Sequence, residues 1–277
     1  MRTDHLYQKT IKSVINLGDN ILTRNHAALS LINAEPLIFT STPLVTIRKT
    51  AWKMALREMQ WFMSGEQKCP KELLPWWSKQ LNHDGNYIGG YSEQFRRVYC
   101  GDDNNRFDQI QYILDGLKNN PNSRRLVLTT WNPYDMAYIT ALNDNPNAVT
   151  CCHSTIIQFF VRDRTLHMTS YQRSADLLLG VPHNWIQSWA LLLWLAYHAR
   201  IKVGTLRWIF GDLHIYHHQS HIDTAYQIMN NKINWCNKNT FNLEYQPKND
   251  DEVFLAEDFI MTGVIPEPKV FLKPELF

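Results

Sequence analysis

The chain has 277 residues, a formal net charge of +2 and ten tryptophans, and 44% of its residues are apolar. The weak charge argues against a nonspecific nucleic-acid-binding protein, and no apolar run approaches the length of a membrane span. Five irregularly spaced cysteines indicate neither a disulfide framework nor a zinc site, and they fit a reducing compartment. Residues 1–17 lack a signal-peptide core, and no linker divides the chain. We therefore expect one soluble domain over residues 1–277, located in the cytoplasm, or in the host cytoplasm if the source is viral.

Apolar spacing predicts three amphipathic helices in the first half of the chain, over residues 7–22, 52–63 and 107–118. The first ends in a polar turn at residues 23–26. The third stops before an Asn-Asn-Pro sequence, because proline disfavours a continuing helix. An apolar strand is predicted over residues 126–133.

In the second half of the chain, the residue pattern predicts a β-hairpin. Its strands cover residues 155–161 and 165–170 and are joined by an Asp-Arg turn. An almost wholly apolar helix over residues 184–200 is expected to be buried on most sides. A further strand is predicted over residues 205–210.

Glu58 lies among the apolar residues of the second predicted helix rather than on a charged face. A carboxyl group in an apolar site has a raised pKa and can exchange protons near neutral pH. The alternative is an ordinary salt bridge to Arg57 or Lys53.

Residues 171–184 combine an arginine, a hydroxyl, a carboxylate and an amide around an apolar turn. Arg173 and Ser174 can hold a phosphate by charge-assisted hydrogen bonds. Asn184 offers a donor and an acceptor side by side, which suits the edge of a pyrimidine. The alternative is a surface arginine, a capping serine and a solvated asparagine.

Two adjacent cysteines, Cys151 and Cys152, precede the predicted hairpin, whose strands lead towards Arg173. A thiolate is a strong nucleophile, and a nearby cation is needed to favour it at neutral pH. The alternative is a pair of inert buried thiols.

Arg124 and Arg125 precede a predicted strand, so their side chains point to opposite faces and one domain would rarely bury both. Two solvent-facing arginines are the ordinary alternative.

The Tyr-Gln-Arg-Ser-x-Asp run at residues 171–176, followed by Leu-Gly-Val-Pro and Asn184, resembles the core signature of thymidylate synthases and the related pyrimidine hydroxymethylases. The Glu58 helix and Gly-Asp-Leu-His-Ile-Tyr at residues 211–216 also resemble this family, so the likeness spans roughly residues 17–268. It implies an α+β fold, with a large mixed β-sheet flanked by helices, and a homodimer built through that sheet.

The resemblance implies a catalytic set of residues: Cys152 as nucleophile, with Glu58, Arg173, Asn184, His153 and Tyr91. It implies a second set that binds deoxyuridylate: Arg24, Arg124, Arg125, Gln172, Ser174, His214 and Tyr216. In the family the adjacent arginine pair reaches the phosphate site of the partner subunit. Relatives that act on cytidylate carry aspartate at the position of Asn184, so a preference for deoxyuridylate is expected.

One spacing leaves the nucleophile open between two cysteines. The family has four residues between its cysteine and the glutamine of the next strand, whereas five separate Cys152 from Gln158. A one-residue bulge could absorb the difference. Cys151 lacks a following histidine and remains the alternative.

The resemblance also implies methylenetetrahydrofolate as co-substrate, held by three residues: Trp77, Asp176 and Gly180. No metal is expected, because His183, His217 and His218 have no cysteine or carboxylate at metal-ligand spacing.

The chain departs from the family on the folate side. Gln80 replaces a tryptophan, Ser78 replaces an aspartate, residues 135–150 form a longer segment with a polar loop, and residues 273–277 differ from the usual tail. Hydride transfer requires a stacked folate and excluded water. The departures therefore favour a phage-type deoxyuridylate hydroxymethylase, in which water captures the methylene.

Thymidylate synthase, which reduces the methylene and releases dihydrofolate, is the alternative. A non-catalytic nucleotide-binding or RNA-binding homologue is a third interpretation. The joint presence of the thiol, Glu58, Arg173 and Asn184 disfavours it.

Overall fold

The computed structural model describes residues 3–23, 26–102, 105–231, 241–268 and 270. Its helices are α1 (Thr3–Leu17), α2 (Trp52–Ser64), α3 (Leu74–Trp77), α4 (Tyr91–Arg96), α5 (Gln109–Asn119), α6 (Pro133–Leu142), α7 (Val181–His198) and α8 (Gln219–Asn230). Its strands are β1 (Asp19–Leu22), β2 (Ala27–Leu31), β3 (Leu37–Phe39), β4 (Val98–Asp102), β5 (Asn105–Phe107), β6 (Val127–Thr129), β7 (Ile156–Arg162), β8 (Thr165–Asp176), β9 (Lys202–Tyr216), β10 (Phe241–Tyr245) and β11 (Phe259–Gly263). Lys71–Leu73 and Ala256–Asp258 form short 3-10 helices.

Seven strands form one mixed sheet in the spatial order β1-β2-β9-β8-β7-β6, with β3 also paired to β9. β8 and β9 run parallel, whereas the other pairs are antiparallel. Parallel neighbours need a crossover connection, which α7 supplies. This helix packs on β8 and β9, and α2 packs on α7. The predicted α+β fold, with a large mixed sheet flanked by helices, is confirmed.

Helix α7 is buried on nearly all sides, which explains why its sequence is apolar all round. Its largest side chains, Trp185 and Trp194, are almost completely inaccessible to solvent. Pro182 lies in the first turn, where its missing N–H leaves no helical hydrogen bond unmade. The buried helix thus starts next to the end of β8, where the predicted signature lies.

The predicted helix over residues 7–22 is too long, because α1 ends at Leu17 and the following residues form β1. Gly18 closes the helix with its N–H on the Val14 carbonyl at 2.9 Å. A side chain at Gly18 would meet that same oxygen at 2.5 Å. From Asp19 onwards, the backbone forms hydrogen bonds between β1 and β2 instead of within a helix.

Two further boundaries differ from the prediction. Asp108 caps α5 by accepting the Gln111 N–H at 2.9 Å, so Phe107 lies in β5 rather than in the helix. The strand predicted over residues 126–133 covers only β6, because Asn132 caps α6, which was not predicted.

The predicted hairpin of β7 and β8 is confirmed, with Asp163 and Arg164 in its turn at φ 49° and 55°. Both β8 and β9 are longer than predicted because they pair in parallel as far as Asp176 and His214. Residues 171–176 and much of residues 211–216 therefore lie side by side.

One face of the sheet carries an uncovered row of side chains that crosses five strands. Paired residues form this row in the order Ile38, Arg207, Thr169, Gln158 and Val127. All five are at least partly exposed, and Ile38 is 58% exposed. The opposite side of these strands faces the core, because side chains alternate between the two faces.

Candidate active site

Cys152 lies in the loop between α6 and β7, against Tyr91. The Tyr91 hydroxyl donates to the Cys152 sulfur at 3.3 Å and accepts the Cys152 backbone N–H at 2.7 Å. The Tyr91 ring stacks on His153 with centroids 4.5 Å apart and planes at 21°. Tyr91 therefore holds both the thiol and the backbone that carries it.

Burial raises the pKa of the half-buried Cys152 thiol, while the hydrogen bond from Tyr91 and the positive charge of Arg173 oppose the rise. Arg173 thus acts in the predicted direction, but burial outweighs it. The free protein keeps this thiol protonated at neutral pH, so its reaction requires a proton acceptor.

Cys151 is fully buried, unlike its neighbour. Its thiol interacts with Thr130 and Tyr87, and its backbone N–H meets the Met136 sulfur at 3.4 Å. Burial raises the pKa of the Cys151 thiol well above its ordinary value. Of the two thiols, Cys152 is the accessible one.

The extra residue before Gln158 lies in the loop, not in a strand bulge. β7 pairs with β8 without interruption from Ile156 to Arg162. Ser154, in the preceding loop, adopts φ 51°. A loop can take up an extra residue, whereas a one-residue slip in the sheet would turn every following side chain to the other face.

Glu58 is buried in α2 and accepts two hydrogen bonds, from the Trp77 indole N–H and from Gln187 Nε2, the latter at 2.5 Å. Burial raises its pKa to about 7, although the two hydrogen bonds oppose the rise. Arg57 instead pairs with Glu72 and Glu257, at 3.7 Å and 3.4 Å. Glu58 is thus poised to exchange a proton near neutral pH.

Asn184, in the first turns of α7, is also held from both sides. Its Oδ1 accepts from Gln172 Nε2 at 3.1 Å, and its Nδ2 donates to Gln187 Oε1 at 3.2 Å. Gln187 connects Asn184 to Glu58, and no sequence motif pointed to it. Its spacing of three residues from Asn184 on a helix was the available signal.

Arg173 lies beside the reactive loop. It donates to the Thr150 hydroxyl at 2.8 Å and places its guanidinium 5.2 Å from the Trp131 ring centre. Ser174 is part-exposed, and its N–H reaches the Cys152 carbonyl at 3.3 Å. The signature strand and the cysteine loop are therefore joined directly.

His214 and Tyr216 lie near the end of β9, with ring centroids 4.9 Å apart. Asp212 accepts from the Ser30 hydroxyl at 2.6 Å and faces His214 Nδ1 at 3.6 Å. Burial alone lowers the pKa of His214, but Asp212 and Asp176 outweigh burial and raise it. The His214 and Tyr216 side chains thus offer hydrogen-bonding groups side by side at the end of β9.

Three further arginines were predicted to bind the phosphate: Arg24, Arg124 and Arg125. Arg24 lies outside the described residues. Arg124 and Arg125 are exposed beside β6. Their assignment to a partner's site stays a prediction.

Two of the predicted folate residues are used within the protein. Trp77 is buried and bonds Glu58, and Asp176 accepts the N–H groups of Leu178 and Leu179, both at 3.0 Å. At Gly180, a Cβ would lie 3.4 Å from Asn184 Oδ1. Glycine thus leaves space beside the amide.

Among the described residues, groups of three or more histidine, cysteine, aspartate or glutamate side chains suited to a metal ion do not occur. His183 has a structural role, because it accepts the Ala51 N–H at 3.2 Å and contacts the Leu179 carbonyl at 2.8 Å. Within the same part of the chain, no helix is long and apolar enough to cross a membrane.

Comparison of the sequence with known proteins identifies the family of this chain. The sequence model of the family described as thymidylate synthase matches residues 5–274. A thymidylate synthase of Zymomonas mobilis is 28% identical over 303 aligned positions, covering 97% of this chain and 98% of that protein. Those of Corynebacterium aurimucosum and Buchnera aphidicola are 36% and 35% identical, over 64% and 66% of this chain and 63% and 66% of their own lengths. The chain therefore belongs to the thymidylate synthase family of one-carbon transferases.

Proposed function

We propose that this chain is a single catalytic domain that converts deoxyuridylate to thymidylate with methylenetetrahydrofolate. The observation that supports this proposal most directly is that Cys152 contacts Tyr91 and interacts electrostatically with Arg173. In addition, Asn184 and Glu58 belong to one hydrogen-bonded network. The names of the three relatives favour thymidylate as the product.

The nucleotide would lie between the end of β8 and the start of α7. Asn184 offers its amide to the uracil edge, and Arg173 and Ser174 offer donors to the phosphate. His214 and Tyr216 would receive the sugar hydroxyl. Asn184 can pair with uracil without a change of charge, because its amide supplies one donor and one acceptor.

The Cys152 thiolate would add to carbon 6 of the uracil ring, which makes carbon 5 nucleophilic towards the one-carbon unit. Glu58, with a pKa of about 7, would exchange protons with the ring carbonyl as negative charge develops and disappears. Tyr91 would hold the sulfur during addition and release. Methylenetetrahydrofolate supplies the one-carbon unit and the hydride.

Hydroxymethylation is the second candidate, because the folate side of the site departs from the family. Ser78 is exposed, and Gln80 is part-exposed, where the family has an aspartate and a tryptophan. Residues 78–81 would form one wall of the folate site, here called the folate wall. A smaller, more polar wall stacks less well on a pterin and admits water more readily.

The lengthened segment braces this wall. Asn145 Nδ2 donates to the Lys79 and Leu81 carbonyls, at 3.0 Å and 2.7 Å, on either side of Gln80. Asn143 bonds both the N–H and the carbonyl of Ile88, at 2.8 Å and 2.9 Å. These contacts support reductive methylation, because a fixed wall can hold the folate in place.

Incubation with deoxyuridylate and methylenetetrahydrofolate distinguishes reductive methylation from hydroxymethylation. We expect one dihydrofolate, seen by its absorbance, for each nucleotide converted, and a nucleotide mass that corresponds to thymidylate. A hydroxymethyl nucleotide without dihydrofolate would overturn reductive methylation. Turnover of neither kind would reject the catalytic proposal.

Asn145→Ala should raise the KM for methylenetetrahydrofolate severalfold and leave the Kd for deoxyuridylate nearly unchanged. The substitution removes two hydrogen bonds to backbone carbonyls of the wall, an exposed one to Lys79 and a part-buried one to Leu81, each worth about 1 kcal/mol. Steady-state kinetics and nucleotide titration measure the two effects. Asn147→Ala is the matched control, because Asn147 is exposed in the same loop. An equal loss of affinity for both substrates would argue against a role confined to the folate wall.

We also propose a homodimer through the uncovered sheet face. The row from Ile38 to Val127 combines apolar and polar side chains, and Ile156, beside it, is 48% exposed. Such a face suits a self-complementary two-fold interface. Arg124 and Arg125 lie at its edge and would reach the partner's phosphate site.

Mixing two inactive variants tests this exchange. Cys152→Ser and the double variant Arg124→Glu, Arg125→Glu should each be inactive alone, and subunit exchange should restore about a quarter of wild-type activity. Half of the dimers would be mixed, and each would hold one complete site. Thymidylate formation after reversible denaturation of the mixture measures the recovery. No recovery from dimers proven to be mixed would contradict a site shared between subunits.

A further inference from the structure

Four buried side chains form a one-directional hydrogen-bonded chain across the site, here called the amide relay. Gln172 Nε2 donates to Asn184 Oδ1 at 3.1 Å, and Asn184 Nδ2 donates to Gln187 Oε1 at 3.2 Å. Gln187 Nε2 in turn donates to Glu58 Oε2 at 2.5 Å. All four side chains are at most 7% exposed, so water does not readily replace these partners.

The direction of the relay is set at the Gln187 end. Gln187 Nε2 also donates to the Ala55 carbonyl at 3.2 Å. An ionised carboxylate and a backbone carbonyl can only accept hydrogen bonds. Both neighbours therefore require the amino group of Gln187 on their side, which turns its Oε1 towards Asn184. The Ala55 carbonyl keeps this orientation even when Glu58 is protonated.

Gln172 is the weaker anchor of Asn184. Its amino group also donates to the Ser174 carbonyl at 3.0 Å, but its buried Oε1 has no hydrogen-bond partner among the described residues. An inverted Gln172 could therefore offer Asn184 an acceptor and lose only the Ser174 contact. Gln187 has no such freedom, because inversion would place its oxygen against two acceptors.

We propose that Gln187 is a positioning residue that fixes the amide orientation of Asn184 and thereby selects uracil over cytosine. The proposal rests on the proposed function. With one hydrogen and one lone pair used by the relay, Asn184 has one N–H and one Oδ1 lone pair left for the ring. Uracil presents a carbonyl oxygen beside an N–H, which this arrangement matches. Cytosine presents an amino group beside a bare nitrogen and needs the inverted amide.

Inversion of Asn184 would set its amino group against that of Gln172 and its oxygen against that of Gln187. Both contacts are buried, so the mismatched groups would lose their partners without hydration. Deoxycytidylate can therefore bind well only if the relay breaks. Asn184 alone, on a free side chain, would turn to suit either ring.

Two substitutions of similar size separate this role from a packing role. Gln187→Met removes both polar atoms and releases Asn184. Gln187→Glu keeps an acceptor towards Asn184 and can share one proton with Glu58, so the orientation of Asn184 is preserved. If the substitution only loosened the core, the binding of both nucleotides would weaken together, and the ratio of their Kd values would stay unchanged.

Isothermal titration of deoxyuridylate and deoxycytidylate monophosphates, without folate, measures the ratio of the two Kd values. We expect Gln187→Met to reduce the preference for deoxyuridylate at least about tenfold, the loss expected for one buried hydrogen-bond constraint. Gln187→Glu should stay within about threefold of the wild-type ratio. Gln187→Leu repeats the test if circular dichroism shows that Gln187→Met is unfolded.

An unchanged ratio in the folded apolar variant, or an equal loss in Gln187→Glu, would overturn the proposal. A wild-type protein that binds deoxyuridylate but prefers it no more than deoxycytidylate would overturn it as well. Failure of the wild type to bind either nucleotide would instead reject the proposed function itself.

Discussion

Replacing Cys152 with serine is expected to abolish the release of tritium from carbon 5 of labelled deoxyuridylate, with a loss on the order of 10⁴-fold or more. Exchange at carbon 5 requires prior addition of a nucleophile to carbon 6, and a serine hydroxyl is a far weaker nucleophile than a thiolate. The contact of the Cys152 sulfur with Tyr91 and its partial exposure place it where a substrate can reach it.

Cys151→Ser is the matched control, because it makes the same atomic change one residue away. A serine hydroxyl of similar size can keep the interactions with Thr130 and Tyr87, so the fold and most of the tritium release should remain. Activity that survives in Cys152→Ser and disappears in Cys151→Ser would transfer the nucleophilic role to Cys151.

The main residues of the site could be predicted from the sequence, because they combine a recognisable sequence pattern with reactive or hydrogen-bonding side chains. Glu58 stood out as a charge within an apolar helical stripe, and the structure buries it. Residues 171–176 and 211–216 stood out as motifs, and parallel pairing of β8 with β9 brings them together. The hairpin turn at Asp163 was predicted correctly from its residue types.

Other features depend on tertiary contacts that local patterns do not encode. Residues 19–22 continue an apolar pattern of helical type, yet pairing with β2 makes them a strand. Gln187 is one polar residue in a buried helix, and its importance comes from Glu58, 129 positions earlier in the chain. The hydrogen bonds from Asn145 to the carbonyls of Lys79 and Leu81 likewise join segments far apart in sequence.

Replacing Glu58 with glutamine should remove the loss of stability that Glu58 causes as the pH rises, and it should impair turnover. Burial raises the pKa of Glu58 from the ordinary 4.5 to about 7. Below pH 4.5 the carboxyl is protonated in both the folded and unfolded states, so its full stabilising contribution is present. As the pH rises towards 7, the unfolded chain ionises first, and the contribution is lost. The total loss is about 3 kcal/mol in the free energy of unfolding.

Other buried groups do not obscure this effect. Glu58 interacts with the thiols of Cys69 and Cys152, and burial raises the pKa of both, so they remain uncharged over this range. His153 and His183 have pKa values lowered by burial to about 3, which makes stability rise with pH up to about 6.5. Both histidines are retained in the variant, so the difference between the two proteins isolates Glu58.

Urea denaturation at pH 5 and pH 8.5 measures the prediction. From pH 5 to pH 8.5, the change in the free energy of unfolding should favour the folded state by about 2 to 3 kcal/mol more in Glu58→Gln than in the wild type, because glutamine carries no proton to lose. Turnover should fall on the order of 10²-fold to 10⁴-fold, as expected for loss of a general acid-base group. Glu267→Gln changes an exposed carboxylate and should follow the wild type in both measurements. A Glu58→Gln protein with the wild-type pH dependence would show that Glu58 is ionised in the folded state throughout this range, and the proton-exchange role assigned to it would then have no physical basis.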